Sequence, residues 1–279
     1  MEIDHSAASL FRTCPLKYFY SYLAEGTGLQ LKPTPGSIGP YEVGGRTHEL
    51  LEEYYSELRG TPIPAYPEHP NPAVENECQI INAAYRAKYP IENFEIVDVE
   101  RSFRVQLPNS NHIYTGKLDI VFRDEHGLNI MDHKTERRRG TSNHPKKWAA
   151  RDQATLYLWA AERIYGEPIQ NFYVNVLTRP SEKLREGPIF PERQRLERTA
   201  EQIQIALRDI THVADQIEQH VRTFGDNLWP ANREECTQGT WGDCEFYLPD
   251  TYGWSDEIRK QKYEPKEDYQ KLGGIPIIP

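Results

Sequence analysis

Asp119, Asp132 and Lys134 are the residues of this sequence best suited to a chemical role. Asp119 lies thirteen residues before Asp132, and Lys134 follows Asp132 at a distance of two. Two neighbouring carboxylates bind a hard divalent cation, and an ammonium beside them can orient a water. This combination suits phosphodiester hydrolysis, because the cation neutralises phosphate charge and lowers the pKa of a bound water. The alternative is that all three are exposed strand residues without chemistry.

Two strands must carry these side chains if they are to meet. Ile113–Phe122 and Leu128–Lys134 are short, rich in β-forming residues and separated by a turn at Glu125–Gly127, which predicts an antiparallel hairpin. Side chains alternate along a strand, so Asp132 and Lys134 share one face. A register of this hairpin can bring the upstream aspartate close to Asp132.

The other predicted elements surround the hairpin. Phe94–Val105 and Ile169–Leu177 predict two more strands, one before and one after it. Apolar spacing and turn residues predict helices at residues 6–23, 43–58, 73–88, 149–165 and 193–221. A helix between the third and fourth strands allows a parallel crossover. We therefore expect an α/β fold, a small mixed β-sheet flanked by helices, with helical additions at both termini.

The composition indicates a globular chain without a membrane span. Its 279 residues are 38% hydrophobic and 27% charged, and the mean hydropathy is -0.75. No apolar run approaches the roughly 20 residues that a span needs. The first fifteen residues contain no basic region followed by an apolar stretch, which argues against a secretory signal. We expect a cytoplasmic protein.

Three further polar residues lie on predicted helix faces. His48 shares a face with apolar residues three, seven and ten positions on, and Gln153 and Tyr157 are four apart. A histidine on an apolar face is often a core residue, and the Gln153 face could be ordinary helix packing. Spacing alone therefore leaves both a functional role and ordinary packing open for these residues.

Several short motifs in one order resemble a known family. They are Gly116-x-x-Asp119, Asp132-His133-Lys134-Thr135, Gln153-x-x-x-Tyr157, Ser9-x-x-x-x-Cys14-Pro15-x-x-Tyr18 and Gly45-x-x-His48. Together, over roughly residues 6 to 177, they resemble the PD-(D/E)xK nuclease superfamily, in particular the exonuclease branch that contains the RecB nuclease domain, AddAB-type nucleases and Cas4-like nucleases.

The resemblance implies a restriction-endonuclease-like core within a single nuclease domain over residues 1–279. Its parts would be an N-terminal helical part with His48 (1–92), a catalytic sheet core (93–180), a C-terminal helical part (181–246) and a polar tail (247–279). It implies a Mg²⁺- or Mn²⁺-dependent deoxyribonuclease, an exonuclease rather than an endonuclease, that acts in recombination, repair or phage and mobile-element metabolism. The alternative is a catalytically silent DNA-binding or recombination partner subunit.

The resemblance also assigns roles to residues. The metal ligands would be His48, Asp119, Asp132 and the backbone carbonyl of His133, whose ring should point to the opposite face. Glu100 matches an acidic position that is common in the family and is a candidate additional acid. The catalytic group would comprise Lys134, Asp119 and Asp132, with Gln153 orienting the lysine or a phosphate and Tyr157 contacting the DNA backbone.

A basic segment follows the predicted active site in an otherwise acidic chain of net charge -9. From Lys134 to Arg151 there are seven Lys or Arg residues and one acid, Glu136. Such a run can be a solvated loop, but here it would border the cleft as a track for phosphates. Its candidate DNA-binding residues are Arg137, Arg138, Arg139, Lys146, Lys147, Trp148 and Arg151. The expected partner is DNA, single-stranded or at duplex ends, with no membrane.

The cysteines match a family pattern only in part. Several relatives hold an iron–sulfur cluster through one N-terminal and three C-terminal cysteines, and here Cys14, Cys236 and Cys244 match three of the four positions. Cys78 lies in a predicted helix far from the others. Because a four-thiolate site needs four convergent sulfurs, the sequence argues against a cluster. It also has no phosphate-binding loop of a motor, so a helicase or recombination partner would be a separate chain.

Overall fold

The structure is a computed structural model. It describes residues 1–32, 38–136, 144–180, 187–190, 192–226, 229–238, 244–247, 255–266 and 275–279, without the side chains of residues 144–146 and 256. Within these ranges, no helix is both long and apolar enough to cross a membrane.

Eight strands and nine helices are described, together with a 3-10 turn at Ala24–Gly26. The strands are β1 (Glu2–Ile3), β2 (Leu29–Leu31), β3 (Glu95–Gln106), β4 (Ile113–Asp124), β5 (Gly127–Glu136), β6 (Ile169–Thr178), β7 (Gln194–Leu196) and β8 (Tyr263–Pro265). The helices are α1 (His5–Thr13), α2 (Pro15–Tyr22), α3 (Pro40–Leu58), α4 (Pro72–Lys88), α5 (His144–Ala149), α6 (Asp152–Tyr165), α7 (Ala200–Phe224), α8 (Glu235–Gln238) and α9 (Asp256–Lys262).

These elements form two compact units. The core unit comprises residues 35–103 and 117–203, and the terminal unit comprises residues 1–34, 104–116 and 204–279. The candidate ligands and the lysine named above all belong to the core unit. The single domain expected over residues 1–279 stays a prediction.

The sheet of the core unit has the predicted mixed pairing. β4 runs antiparallel to β5, with Ile120 opposite Met131. β5 runs parallel to β6, with Asp132 opposite Val174, and β3 also pairs with β4. The mixed sheet and its flanking helices confirm the predicted fold class, a restriction-endonuclease-like α/β core. The register matters for the site because one further residue along β4 and β5 places Asp119 opposite Asp132.

Helices α3 and α4 begin at defined caps and cover one face of the sheet. The Glu42 carboxylate accepts the Gly39 N–H (2.9 Å), and the Asn71 side chain accepts the Ala73 N–H (3.1 Å). Each cap satisfies a donor that the first turn of a helix leaves unpaired. The helices bury residues against β4, β5 and β6, and the shared core contains Val43, Leu50, Leu51, Tyr54, Tyr55, Val74, Cys78, Ile81, Tyr85, Ile120, Phe122, Met131, Leu177 and Phe190.

Two predicted helices are wrong in extent. The one expected over residues 6–23 is broken before Pro15, because a residue that precedes proline is disfavoured in helical geometry, and Cys14 is extended (φ -160°, ψ 111°). The one expected over residues 193–221 begins at Ala200. Residues 194–196 instead form β7, antiparallel to β6, and Thr199 and Gln202 exchange side-chain-to-backbone hydrogen bonds that cap α7.

The terminal unit contains two short strand pairings that the sequence did not indicate. β1 runs parallel to the first residues of β4, with Glu2 opposite Ile113. β2 pairs antiparallel with β8, with Leu31 opposite Tyr263. The part of the chain expected to be a polar tail, residues 247–279, contains a regular helix, α9, followed by a paired strand, β8.

Candidate metal centre

Three side chains from α3, β3 and β4 converge in the core unit. His48, Glu100 and Asp119 each offer a nitrogen or a carboxylate oxygen, and these atoms lie within 4.8 Å of one another. Across the described ranges, no other three histidine, cysteine, aspartate or glutamate ligands lie as close together. Helical spacing explains how α3 supplies His48: Leu51 and Tyr55, on the same face, are buried and bring this face against the sheet.

His48 lies between two carboxylates and a peptide oxygen. Its Nδ1 is 3.5 Å from a Glu100 oxygen and 3.5 Å from Asp119 Oδ2, and its Nε2 is 3.1 Å from the His133 carbonyl oxygen. Burial by itself lowers the pKa of His48, but the negative charges of Asp119 and Glu100 outweigh it and raise this pKa to about 9. Without a metal ion, a proton on His48 balances part of the carboxylate charge.

Glu100 reaches this group through an unusual backbone conformation. Its φ is +49°, inside strand β3. A residue with a side chain in this left-handed region is strained by on the order of 1 kcal/mol. The Glu100 carboxylate contacts both His48 and the Lys117 ammonium. Although burial opposes it, these cationic neighbours lower the pKa of Glu100, so this residue supplies a negative charge.

Asp132 and Lys134 lie beside the three ligands, two residues apart on the same face of β5. The Lys134 ammonium is 2.6 Å from Asp132 Oδ2. Burial raises the pKa of Asp119 to about 7, an effect that the charge of His48 opposes and that the carboxylates of Asp132 and Glu100 increase. Burial would lower the pKa of Lys134, but Asp132 and Asp119 raise it on balance. Lys134 is therefore a positively charged group next to a cluster of acids.

The backbone of His133 also faces the ligands. Its N–H donates to Asp119 Oδ2 at 2.7 Å, while its carbonyl oxygen is the group near His48 Nε2. Gln153 of α6 donates from Nε2 to Asp132 Oδ1 at 3.3 Å. Gln153 thus contacts Asp132, which in turn contacts Lys134. Its predicted action on the lysine or on a phosphate stays a prediction.

The chemistry of these donors fits a divalent metal ion. Carboxylate and carbonyl oxygens suit Mg²⁺, and an imidazole nitrogen is also accepted by Mn²⁺. Glu100, Asp119 and Asp132 place three carboxylates in a region where burial makes uncompensated negative charge costly. His48, Glu100 and Asp119 could hold the ion, and the His133 carbonyl oxygen lies 3.1 Å from His48 Nε2. The expected ligand Asp132 is not among the three groups that converge, since its carboxylate pairs with Lys134, and its role as a ligand stays a prediction.

Two aromatic residues with predicted DNA contacts are buried. Tyr157 lies edge to face against Phe103 at 5.6 Å and against Phe172 at 6.3 Å between ring centroids. Trp148 is 5% exposed, and its ring lies under the cationic groups of Lys147 and Arg151. Contact of Tyr157 with the DNA backbone and stacking of Trp148 on a base stay predictions.

The basic segment is described only in part. Arg137, Arg138, Arg139 and the side chain of Lys146 lie outside the described residues. Lys147 is 2.5 Å from Glu136, and the Arg151 guanidinium is 4.7 Å from the centre of the Trp148 ring. Lys147 and Arg151 are exposed, as a role in phosphate binding would require.

Lys117 is a site residue that was not predicted from the sequence. Its ammonium contacts Glu100, and its side chain is 51% exposed. Its position two residues before Asp119, on the same strand face, was the available signal. Lys117 extends the group of charges from the buried ligands to the surface.

The cysteines are divided between the two units. Cys14, Cys236 and Cys244 belong to the terminal unit, where the Cys14 sulfur accepts the Asn232 N–H at 3.4 Å. Cys78 lies in the core unit, buried against Thr47 and the Val43 carbonyl. All four are free thiols, and the expected lack of an iron–sulfur cluster stays a prediction.

Comparison with known proteins identifies the family. The model of the PD-(D/E)XK nuclease superfamily matches residues 3–246, and this chain therefore belongs to that superfamily. The chain is similar to the crystal structure of a "Putative exonuclease" from Eubacterium rectale, with a TM-score of 0.52 and 14% identity over 83% of this chain and 85% of that one. At this identity, the similarity concerns the fold.

A second solved structure, that of SSO0001, matches with a TM-score of 0.31 and 14% identity, over 74% of this chain and 83% of that one. No curated protein matches the chain. The branch with RecB, AddAB and Cas4-like nucleases stays a prediction.

Proposed function

We propose that this protein is a divalent-metal-dependent DNA nuclease of the RecB-like branch, and that it digests DNA from ends as an exonuclease. The observation that carries the proposal is the convergence of His48, Glu100 and Asp119 next to the pair formed by Asp132 and Lys134. A histidine among the ligands agrees with the expected branch, and the name of the Eubacterium rectale protein supports exonuclease action.

Each residue then has a defined task. His48, Glu100 and Asp119 would hold Mg²⁺ or Mn²⁺, which supplies charge neutralisation at the phosphate and lowers the pKa of a water. Lys134 orients the attacking water, or stabilises negative charge that develops on the phosphate, through its ammonium. Asp132 fixes this ammonium at 2.6 Å, and Gln153 holds Asp132 from the side of α6.

The approach of DNA would use the exposed cations around this group. Lys117 stands at its surface, and Lys147 and Arg151 follow on the segment that leads into α6. Attraction between these side chains and the phosphates gives binding that weakens as salt increases. Because this charge is local in an acidic protein, we expect contact with a short stretch of DNA. A partner such as a helicase would supply a longer DNA-binding surface and would separate the strands during recombination or repair.

Digestion of labelled DNA tests the proposal. The substrates are 5′-labelled linear single-stranded DNA, linear duplex DNA and a closed circle, each with Mg²⁺, Mn²⁺ or EDTA. We expect loss of the linear substrates with metal, an intact circle, and no reaction in EDTA. Lys134→Ala should reduce the rate by about 100- to 1000-fold, the effect of removing one preorganised charge from a transition state.

Lys260→Ala is the matched control, because Lys260 is an exposed lysine of α9 in the terminal unit; its rate should equal that of the wild type. Cleavage of the circle would refute the exonuclease assignment alone. No cleavage by the wild type with either metal, together with retained DNA binding, would refute the nuclease and favour the silent partner subunit.

A further inference from the structure

The ring of His133 lies behind the candidate metal centre, in a buried polar network. Asp132 and Lys134 occupy one face of β5, so the side chain between them points to the other face. There the His133 ring is stacked on Tyr55, with centroids 5.6 Å apart and planes at 27°, and lies edge to face against Tyr85 at 6.0 Å. His133 is 1% exposed.

Hydrogen bonds connect this ring to β6 and α4. Asn175 Nδ2 lies 2.9 Å from His133 Nδ1 and donates to the Tyr85 hydroxyl at 2.6 Å. The Tyr85 hydroxyl is 2.7 Å from that of Tyr55. Asn175 and Tyr85 are fully buried, so each of these bonds forms without competition from water.

An ion pair ends the network. The Tyr55 hydroxyl donates to Glu92 Oε1 at 2.7 Å, and Arg193 donates to both Glu92 oxygens at 2.6 and 2.9 Å. Arg193 also donates to the Tyr85 hydroxyl at 3.0 Å. The members of this His133 network are His133, Asn175, Tyr85, Tyr55, Glu92 and Arg193.

The protons of the network follow one consistent direction. The Asn175 amide has two, and gives one to His133 Nδ1 and one to Tyr85. Tyr85 then donates to Tyr55, and Tyr55 donates to the Glu92 carboxylate. In this arrangement His133 accepts at Nδ1 and is neutral, which agrees with burial lowering the pKa of its ring well below the usual value.

This polar network stabilises the fold less than apolar side chains packed at the same positions would. Burying an ion pair and four polar side chains carries a desolvation penalty that apolar residues would avoid. What distinguishes His133 is its backbone, since its N–H binds Asp119 and its carbonyl lies beside His48. The ring and these backbone groups belong to one residue. Fixing the ring on one face of β5 therefore restricts rotation of the N–H and the carbonyl that contact Asp119 and His48.

We propose that Asn175, Tyr85, Tyr55 and the Glu92–Arg193 pair are positioning residues that fix the His133 peptide within the metal centre. The inference rests on the proposed function. Its measurable consequence is metal affinity, because partners that orient a ligand typically change affinity by about 10- to 100-fold when removed.

Tyr85→Phe tests the inference by removing one hydroxyl from the centre of the network and keeping the ring. Tyr54→Phe is its control: Tyr54 is a buried tyrosine of the same core, and its hydroxyl donates to the Tyr89 carbonyl outside the network. Mn²⁺ affinity is measured by electron paramagnetic resonance of the free ion at one pH, beside a thermal melt of each metal-free protein. We expect about tenfold weaker Mn²⁺ binding for Tyr85→Phe and a change below about twofold for Tyr54→Phe.

The results separate this inference from the proposed function. If the wild type binds Mn²⁺ and folded Tyr85→Phe binds it equally well, the positioning role is refuted and the metal centre stands. A lower melting temperature with unchanged affinity would likewise show a purely structural network. If the wild type binds no Mn²⁺, both proposals fail. If Tyr85→Phe does not fold, Tyr55→Phe takes its place with the same expected result, because its hydroxyl is the next member of the network.

Discussion

Metal binding to the candidate centre should release protons, and the amount follows from two residues. His48, with a pKa of about 9, and Asp119, with a pKa of about 7, are both more protonated at neutral pH than free side chains. A metal ion needs both in their unprotonated forms. At pH 7.5, His48 carries nearly a whole proton and Asp119 about a quarter of one. We therefore expect release of about one proton per ion, and affinity that rises about tenfold per pH unit between pH 7 and 8.

The perturbation that tests this reasoning is His48→Asn, which removes the main source of the proton. Titration calorimetry with Mn²⁺ in two buffers of different ionisation enthalpy gives the number of protons released. We expect that number to fall in the variant but to stay above a quarter, because the charge of His48 opposes the rise in the pKa of Asp119 and its removal leaves Asp119 more protonated. Mn²⁺ binding should also be weaker.

His126→Asn is the control, since His126 is an exposed histidine in the turn between β4 and β5, and its proton release should match that of the wild type. Wild-type binding that releases no protons at pH 7.5, with the same affinity at pH 7 and pH 8, would refute the charge assignment.

Three further predictions concern stability and ligand identity. Because the pKa of His48 is raised on folding, its stabilising effect on the metal-free protein is complete below about pH 6.5 and is lost as pH rises through about 9. Chemical denaturation over this pH range should show that the free energy of unfolding falls by roughly 3 kcal/mol because of this residue. Glu100→Gln should weaken Mn²⁺ binding at least tenfold, while Glu57→Gln, the same charge change at a surface position, should leave it within twofold; equal effects would contradict a ligand role for Glu100. Gly166→Ala should destabilise the protein by about 1 kcal/mol, because Gly166 ends α6 at φ +69°. Gly45→Ala, inside α3 with open space around the new methyl group, should stabilise it by about 0.5–1 kcal/mol. Thermal melts in which both variants shifted the melting temperature in the same direction would refute this argument.

The sheet and the approach of Asp119 to Asp132 could be predicted because local patterns determine them. Two runs of β-forming residues around a short turn favour a hairpin, and alternation assigns faces within each strand. The helix between β5 and β6 allows the parallel pairing that is observed. These signals act over fewer than about fifteen residues, the range in which sequence patterns are most informative.

The position of Glu100 and the burial of Trp148 could not be predicted in this way. The sequence around Glu100 has no glycine or asparagine that would indicate a left-handed backbone. The alternation of side chains along β3 therefore does not predict where the Glu100 side chain lies. Trp148 lies in a basic segment, which suggests exposure, but its ring is covered in the folded protein. The function of Asn175 depends on Tyr85 and Tyr55, which are remote in sequence, and no local pattern indicates that these residues meet.

The candidate ligands come from α3, β3 and β4, with the His133 peptide contributed by β5, and this dispersal has a consequence during synthesis of the chain. His48 and His133 are 85 residues apart, so an emerging or partly unfolded polypeptide has no assembled site. Under the proposed function, metal ions would bind only the complete fold and would stabilise it by mass action, by about 2.7 kcal/mol when the free ion is at 100 times its dissociation constant. Nuclease activity would thus appear only with the complete tertiary structure. A partly synthesised chain on the ribosome would therefore not cleave nearby nucleic acid.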